Sequence, residues 1–172
     1  GEASSKWTFK AYYDETAGFD TPPWRIYWPK FRTIDVTDFG AISQQGYTDI
    51  ALYPATKYPA IAYADGSTLK YRQWNGTVWL DETIATNVAG HVVLVIDSAG
   101  IPRIARRSTS DNGLKYYKWD RVSAWDFYDF GTNTADSYPL GIDVDSNDYP
   151  GIAYRSLLGP LTFSKWNGAA WI

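Results

Sequence analysis

The feature that most limits what this chain can fold into is a segment written three times. YPAIAYADGSTLKYRQWNGTVWLDETI from Tyr58, IPRIARRSTSDNGLKYYKWDRVSAWDFYDF from Ile101 and YPGIAYRSLLGPLTFSKWNGAAWI from Tyr149 share one skeleton. It reads P-x-I-A-[YR], then L-x-[YF]-x-x-W, then a second W. Trp79 to Trp125 and Trp125 to Trp171 are each 46 residues, Trp74 to Trp119 is 45, and Trp119 to Trp166 is 47. A tandem unit of that length matches a four-stranded propeller blade. Helical repeats of similar size would need apolar residues at a 3.6-residue period, which the units lack.

Each unit reads as four strands. An apolar run, HVVLVID from His91 or LGIDVD from Leu140, predicts an inner strand buried on both faces. PAIAY, PRIAR and PGIAY form the second strand, with Pro at a tolerated first position. LKYRQW and its echoes form the third strand, and WLDETI or WDFYDF the fourth. Between them Asn75-Gly76 and Asn167-Gly168 predict tight type I′ hairpins. Asp120-Arg121 stands there in the middle unit, in a loop one residue longer.

The expected organisation is a single all-β, propeller-like domain over residues 1–172 with antiparallel blades of about 46 residues. Residues 1–45 form a degenerate first blade, from WTFKAYY, WRIYW and FRTIDV, and 46–89 a second blade that begins with DIALY. Residues 90–136 form a third, and 137–172 an incomplete last one. The terminal blades then have open edges, which proteins normally cover. Closure between the chain ends, further blades beyond this segment, or strands from a second chain are the three solutions.

Composition narrows the function. Aromatic residues are 17% of the chain and charged residues only 20%, which suits a strand-rich globular protein. The net charge of -3 supplies no basic field for a phosphate backbone, so nucleic acid is not an expected partner. No apolar run approaches 18 residues, so no membrane span is expected. The absence of cysteine rules out disulfides and thiolate chemistry. The aromatic, Asn-, Ser- and Thr-rich style points to a secreted or surface protein.

The units resemble the blades of secreted bacterial β-propeller repeat proteins, D-S-x-G-x-P-x-I-A-Y followed by L-x-Y and N-G-x-x-W, a pattern best kept from Asp97 to Pro102. The resemblance spans about residues 46 to 172 and implies the fold, with binding, adhesive and catalytic members all known. Thr109 to Tyr116 is similar to the Asp-box hairpin of sialidases and related propellers, a folding element. Asp143, Asp145 and Asn147 resemble the calcium loop of integrin-type blades, with Asp148 in place of the turn Gly and Gly151 in place of the closing carboxylate. A solvated Asp/Asn turn is the alternative reading, and no other cofactor is expected.

Candidate chemistry is sparse. His91 is the only histidine, without a partner nameable from sequence. Arg103, Arg106 and Arg107 share one strand, so they alternate between faces and cannot converge as a sialidase cluster would. The recurring aromatics remain. Trp74, Trp119 and Trp166 share one blade position, and Trp79, Trp125 and Trp171 share another. One reading packs them between sheets; the other places one set in clefts between blades, stacking on sugar rings. Asn75-Gly76-Thr77 is a glycosylation sequon, but the hairpin needs Asn-Gly in any case, and the echo Asn167-Gly168-Ala169 lacks the hydroxyl.

The leading expectation is a non-enzymatic binding or adhesion module for glycan or a surface protein. The alternatives are a structural subunit that self-associates through its incomplete blades, and a glycan-cleaving enzyme.

Overall fold

The structure, a computed structural model, describes residues 47–86, 90–108, 112–120, 122–131, 140–156 and 159–172. The expected degenerate blade at 1–45 and the Asp-box residues 109–111 lie outside them. The described chain is all-β, in three antiparallel sheets whose strands follow one another in chain order. The first sheet holds β1 (Thr48–Leu52), β2 (Pro59–Asp65), β3 (Thr68–Trp74) and β4 (Trp79–Ala85). The second holds β5 (Val92–Ile96), β6 (Pro102–Arg107), β7 (Leu114–Trp119) and β8 (Trp125–Asp129). The third holds β9 (Leu140–Val144), β10 (Pro150–Arg155) and β11 (Leu161–Lys165).

Leading strands of successive sheets lie side by side: β5 approaches β1 and β2, and β9 approaches β5 and β6. Alternation along each strand then sends one row of side chains into each gap. Val92, Leu94, Ile96, Ile104 and Tyr117 meet Ala60, Ala62, Ala64, Leu69 and Tyr71 of the first sheet. Val93, Ala105, Leu114 and Tyr116 meet Leu140, Ile152 and Tyr154 of the third. The alanines let β2 come close to its neighbour, while each fully buried branched side chain such as Ile104 contributes about 1.5–3 kcal/mol.

Only the middle sheet has an inner strand buried on both faces, as the apolar run predicts. β1 and β9 instead alternate. The far face of the third sheet shows why: Leu161 is 74% and Phe163 63% exposed, whereas their counterparts Leu114 and Tyr116 are 0% and 6%. Burial of those positions comes from the next sheet, not from the strand itself.

The outer hairpins depart from the expected type I′ turn, which needs positive φ at two central residues. Gly76 and Gly168 have φ of 100° and 99°, but Asn75 and Asn167 are not in that region. Four residues separate the paired Trp74 and Trp79, and the Asn side chain organises the loop. Asn75 Oδ1 accepts hydrogen bonds from the Thr77 and Val78 amides at 2.9 and 2.8 Å. Asn167 repeats this on Ala169 and Ala170, and Asp120 does it for Val122, Ser123 and Ala124. Such side-chain-to-backbone turns are what short polar residues do well.

Glycine has a second reason to be at the tip. A Cβ on Gly76 would lie 2.8 Å from the Tyr58 hydroxyl, and one on Gly168 would lie 2.8 Å from the Tyr149 hydroxyl. The middle unit lacks both partners at once, with Ile101 in place of the Tyr and Arg121 in place of the Gly.

Candidate functional site

The two tryptophan sets meet within each hairpin. Trp74 faces Trp79 at 5.7 Å between ring centroids, Trp119 faces Trp125 at 5.6 Å, and Trp166 faces Trp171 at 6.0 Å. Their registers place each pair across the turn that Asn or Asp closes. All six are half-buried, so each ring is partly packed and partly open. Strand alternation sends Trp119 and Trp125 into the seam between the first and second sheets, and Trp166 and Trp171 into the seam between the second and third. Trp74 and Trp79 lie on the opposite face of the first sheet.

The second seam opens into a cleft of about 230 Å³ lined by Arg103, Tyr116, Lys118, Asp126, Tyr128 and Trp171, with Trp166, Pro150 and Phe127 completing it. Trp171 is the centre of its aromatic wall. It packs edge-on against Tyr116 and Phe130, both at 5.0 Å, and lies 6.0 Å from Tyr128.

Arg103 is the cationic anchor, although the three arginines of its strand cannot converge. Alternation does part Arg106 from Arg103 and Arg107, as expected: Arg106 meets the Tyr117 hydroxyl in the first seam, and Arg107 meets Asn112. What alternation leaves open is that Arg103 alone suffices to charge a cleft. Asp97, 1% exposed at the end of β5, accepts from Arg103 Nε and Nη2 at 3.1 and 2.7 Å through Oδ2. Its Oδ1 takes the Ala99 and Ile101 amides at 3.1 and 2.8 Å. Arg103 Nη1 then donates to the Tyr116 hydroxyl at 2.9 Å. Burial works against the guanidinium charge, but Tyr116 and Asp97 outweigh it and raise its pKa. A signal was available: the equivalent positions are Ala60 and Gly151, so an Arg there is not a repeat-wide structural residue.

The cleft thus offers a fixed guanidinium with N–H groups to spare, a cross-strand Lys118 and Asp126, and an aromatic wall. Neither Lys118 nor Asp126 has a side-chain partner among the described residues. The turns that flank the cleft are tied together by Asp148, which accepts from the Ser98 amide at 2.9 Å and from its hydroxyl at 2.5 Å. Asp148 does this with φ at 59°, the left-handed conformation that Gly100 holds at 76° in the equivalent turn. Those Ser98 hydrogen bonds keep the Asp148 carboxyl below its usual range.

Asp143 and Asp145, two of the three calcium-loop candidates, are engaged by neighbouring amides and by Lys165. Asp145 accepts from the Asn147 and Tyr149 amides at 2.8 and 3.0 Å and pairs with Lys165 at 2.9 Å. Lys165, with help from those amides, holds its pKa at about 2. Asp143 is exposed on β9 and turns to the Val144 amide. A carboxylate already neutralised by lysine suits a turn better than a divalent cation, and no three His, Cys, Asp or Glu side chains gather as a metal site among the described residues. His91 lies away from the cleft, 5.1 Å from the Tyr47 ring, its pKa lowered by burial.

No helix among the described residues is long and apolar enough to cross a membrane. No family model matches the sequence, and no curated protein does. Solved structures do. The chain is similar to AofleA from Arthrobotrys oligospora, at 16% identity and a TM-score of 0.61 over 74% of this chain. A variant of that protein with three arginines replaced by alanine matches at 0.60. In both cases this chain spans 40% of the other's length. It is also similar to a fucose lectin from Kordia zhangzhouensis solved with methyl-fucoside, at 16% identity and a TM-score of 0.51, over 73% of this chain and 95% of that one. At such identity the similarity is one of fold, an all-β arrangement of antiparallel sheets.

Proposed function

We propose that this chain is a non-enzymatic glycan-binding module built of propeller blades and displayed outside the cell, with the cleft between the second and third sheets as its sugar site. The observation that carries the reading is Arg103, locked by Asp97 and Tyr116 at the base of an aromatic cleft. A sugar ring presents an apolar C–H face that Trp171 and Tyr128 match, and hydroxyls that Arg103 and Lys118 can donate to and Asp126 can accept from. The cleft is smaller than the roughly 300–1,000 Å³ typical of drug-sized pockets, which favours a single ring. Its charges balance, so a neutral sugar fits better than an acidic one, and the Kordia lectin with methyl-fucoside makes a deoxyhexose the first ligand to try.

Hydrolysis fits poorly. Cleavage of a glycosidic bond uses two carboxyl groups free to act, and Asp97 is committed to Arg103 and two amides. The exposed Leu161 and Phe163 favour a further sheet over that face, whether from the same protein or a second copy. The test is quenching of Trp fluorescence by methyl-fucoside and a glycan panel. Saturable binding that Arg103→Ala weakens at least tenfold is expected, and silence across a broad panel would sink the reading.

A further inference from the structure

The seam between the first and second sheets is the counterpart of the sugar cleft, with a carboxylate rather than a guanidinium as its characteristic charged group. Ala60 stands where Arg103 does, Gln73 where Lys118 does, and Glu82 where Tyr128 does. The aromatic wall is kept. Trp125 packs edge-on to Tyr71 at 5.3 Å and lies 5.6 Å from Trp119. Tyr53, in place of Asp97, shares a 2.7 Å hydrogen bond with the Tyr71 hydroxyl and donates to Gln73.

Glu82 is the charged side chain that meets the Trp125 indole at this end of the seam. Its Oε1 accepts from Trp125 Nε1 at 3.0 Å, which holds the carboxylate beside the indole. No cation pairs with it among the described residues. The cations on the same interface, Arg106 and Lys115, are at the end of β6 and β7 away from the Trp pair, where Arg106 meets the Tyr117 hydroxyl and Lys115 pairs with Asp129. Burial raises the pKa of Tyr53 and Tyr71, and the nearby Glu82 charge adds to both, so the hydroxyls stay neutral. A half-buried carboxylate without a counter-ion among the described residues, bordered by Trp and Tyr rings, is a cation-attracting surface: the rings contribute their quadrupoles and the carboxylate a full charge.

We propose that this seam is a second ligand site, selective for an ammonium group held against Glu82 and Trp125, with an amino sugar as its ligand class. The sugar part rests on the glycan reading above, whereas the ammonium selectivity does not. One repeat would then present two neighbouring clefts of different specificity, one centred on a guanidinium and one on a carboxylate.

Tetramethylammonium and glucosamine are titrated into the full chain against sodium and glucose at matched ionic strength, read by Trp fluorescence. Saturable quenching by both ammonium probes is expected, with choline competing and sodium not. Glu82→Gln, which keeps an oxygen for the Trp125 N–H, is expected to weaken ammonium binding at least tenfold, while Arg103→Ala leaves it unchanged. Equal response to glucose and glucosamine overturns the proposal, as does ammonium binding by Glu82→Gln equal to that of the parent. Ammonium binding without fucoside or other glycan binding would remove the glycan reading alone. Glycan binding lost through Arg103→Ala, with silence towards tetramethylammonium, would remove this proposal alone.

Discussion

The two seams are built from one repeat and hold the same aromatic wall, yet they invest their polar groups oppositely. In the first, β2 supplies only alanines, a tyrosine replaces the turn aspartate, and the hydroxyls of Tyr53 and Tyr71 satisfy each other. In the second, β6 supplies a guanidinium, and Asp97 becomes at once a turn cap and a counter-ion. The repeat is therefore compatible with a seam whose polar groups are a tyrosine hydroxyl pair beside Glu82 or with one built on a guanidinium, and the choice rests on a few positions that packing leaves free. Aromatics carry the shared architecture; the residue after the strand-opening Pro and the residue that ends the inner strand set the chemistry.

The two seams differ most sharply at Asp97. Asp97→Ala leaves the Arg103 charge buried and uncompensated, and a loss of about 3–5 kcal/mol in urea unfolding is expected. Asp145→Ala, at the same turn position but with a more exposed Lys165 partner, is expected to cost clearly less. Equal costs would mean that the turn cap, not the ion pair, dominates both sites.

Next in size is the aromatic wall. Trp171→Ala and Trp125→Ala are each expected to cost about 2 kcal/mol, below the 3–5 of a fully buried tryptophan because both rings are half open. Methyl-fucoside binding separates them: Trp171→Ala removes it and Trp125→Ala spares it. A Trp125→Ala chain that also loses the glycan would mean that the two seams act as one site.

The smallest effect is in acid. Lys165 and two amides depress the Asp145 pKa from 3.8 to about 2. A depressed carboxyl stabilises the fold above its unfolded value and loses that contribution as pH falls through the folded one. Asp145→Asn should thus narrow its stability gap from the parent between pH 4 and about 2, as followed by thermal midpoint. A constant gap would show that Lys165 does not hold the carboxylate in solution.

Much of the fold was legible because it is written locally. The 46-residue period, the Pro that opens each second strand and the Asn or Asp after each first Trp are local signals, and all eleven described strands fall where those signals put them. The hairpin type was misread because Asn-Gly invites a two-residue turn, while the Trp pair closes outside four residues. The pairing of the two Trp sets was written in that same spacing and went unread. The site was less legible. Arg103 looked like one of three scattered cations, and only the turn that folds Asp97 back over β6 shows it as an anchor.

The sequence by itself determined strands, turns and which residues share a face, since alternation and turn chemistry act over a few bonds. Tertiary structure decided which neighbour each face meets, and hence whether a leucine is buried or open and which charged group a tryptophan lies beside. Those outcomes depend on groups that the repeat brings together from about one unit away: Trp125 with Glu82, Asp148 with Ser98, Trp171 with Tyr116. No local pattern encodes such contacts, because each partner reads as an ordinary strand or turn residue in its own segment.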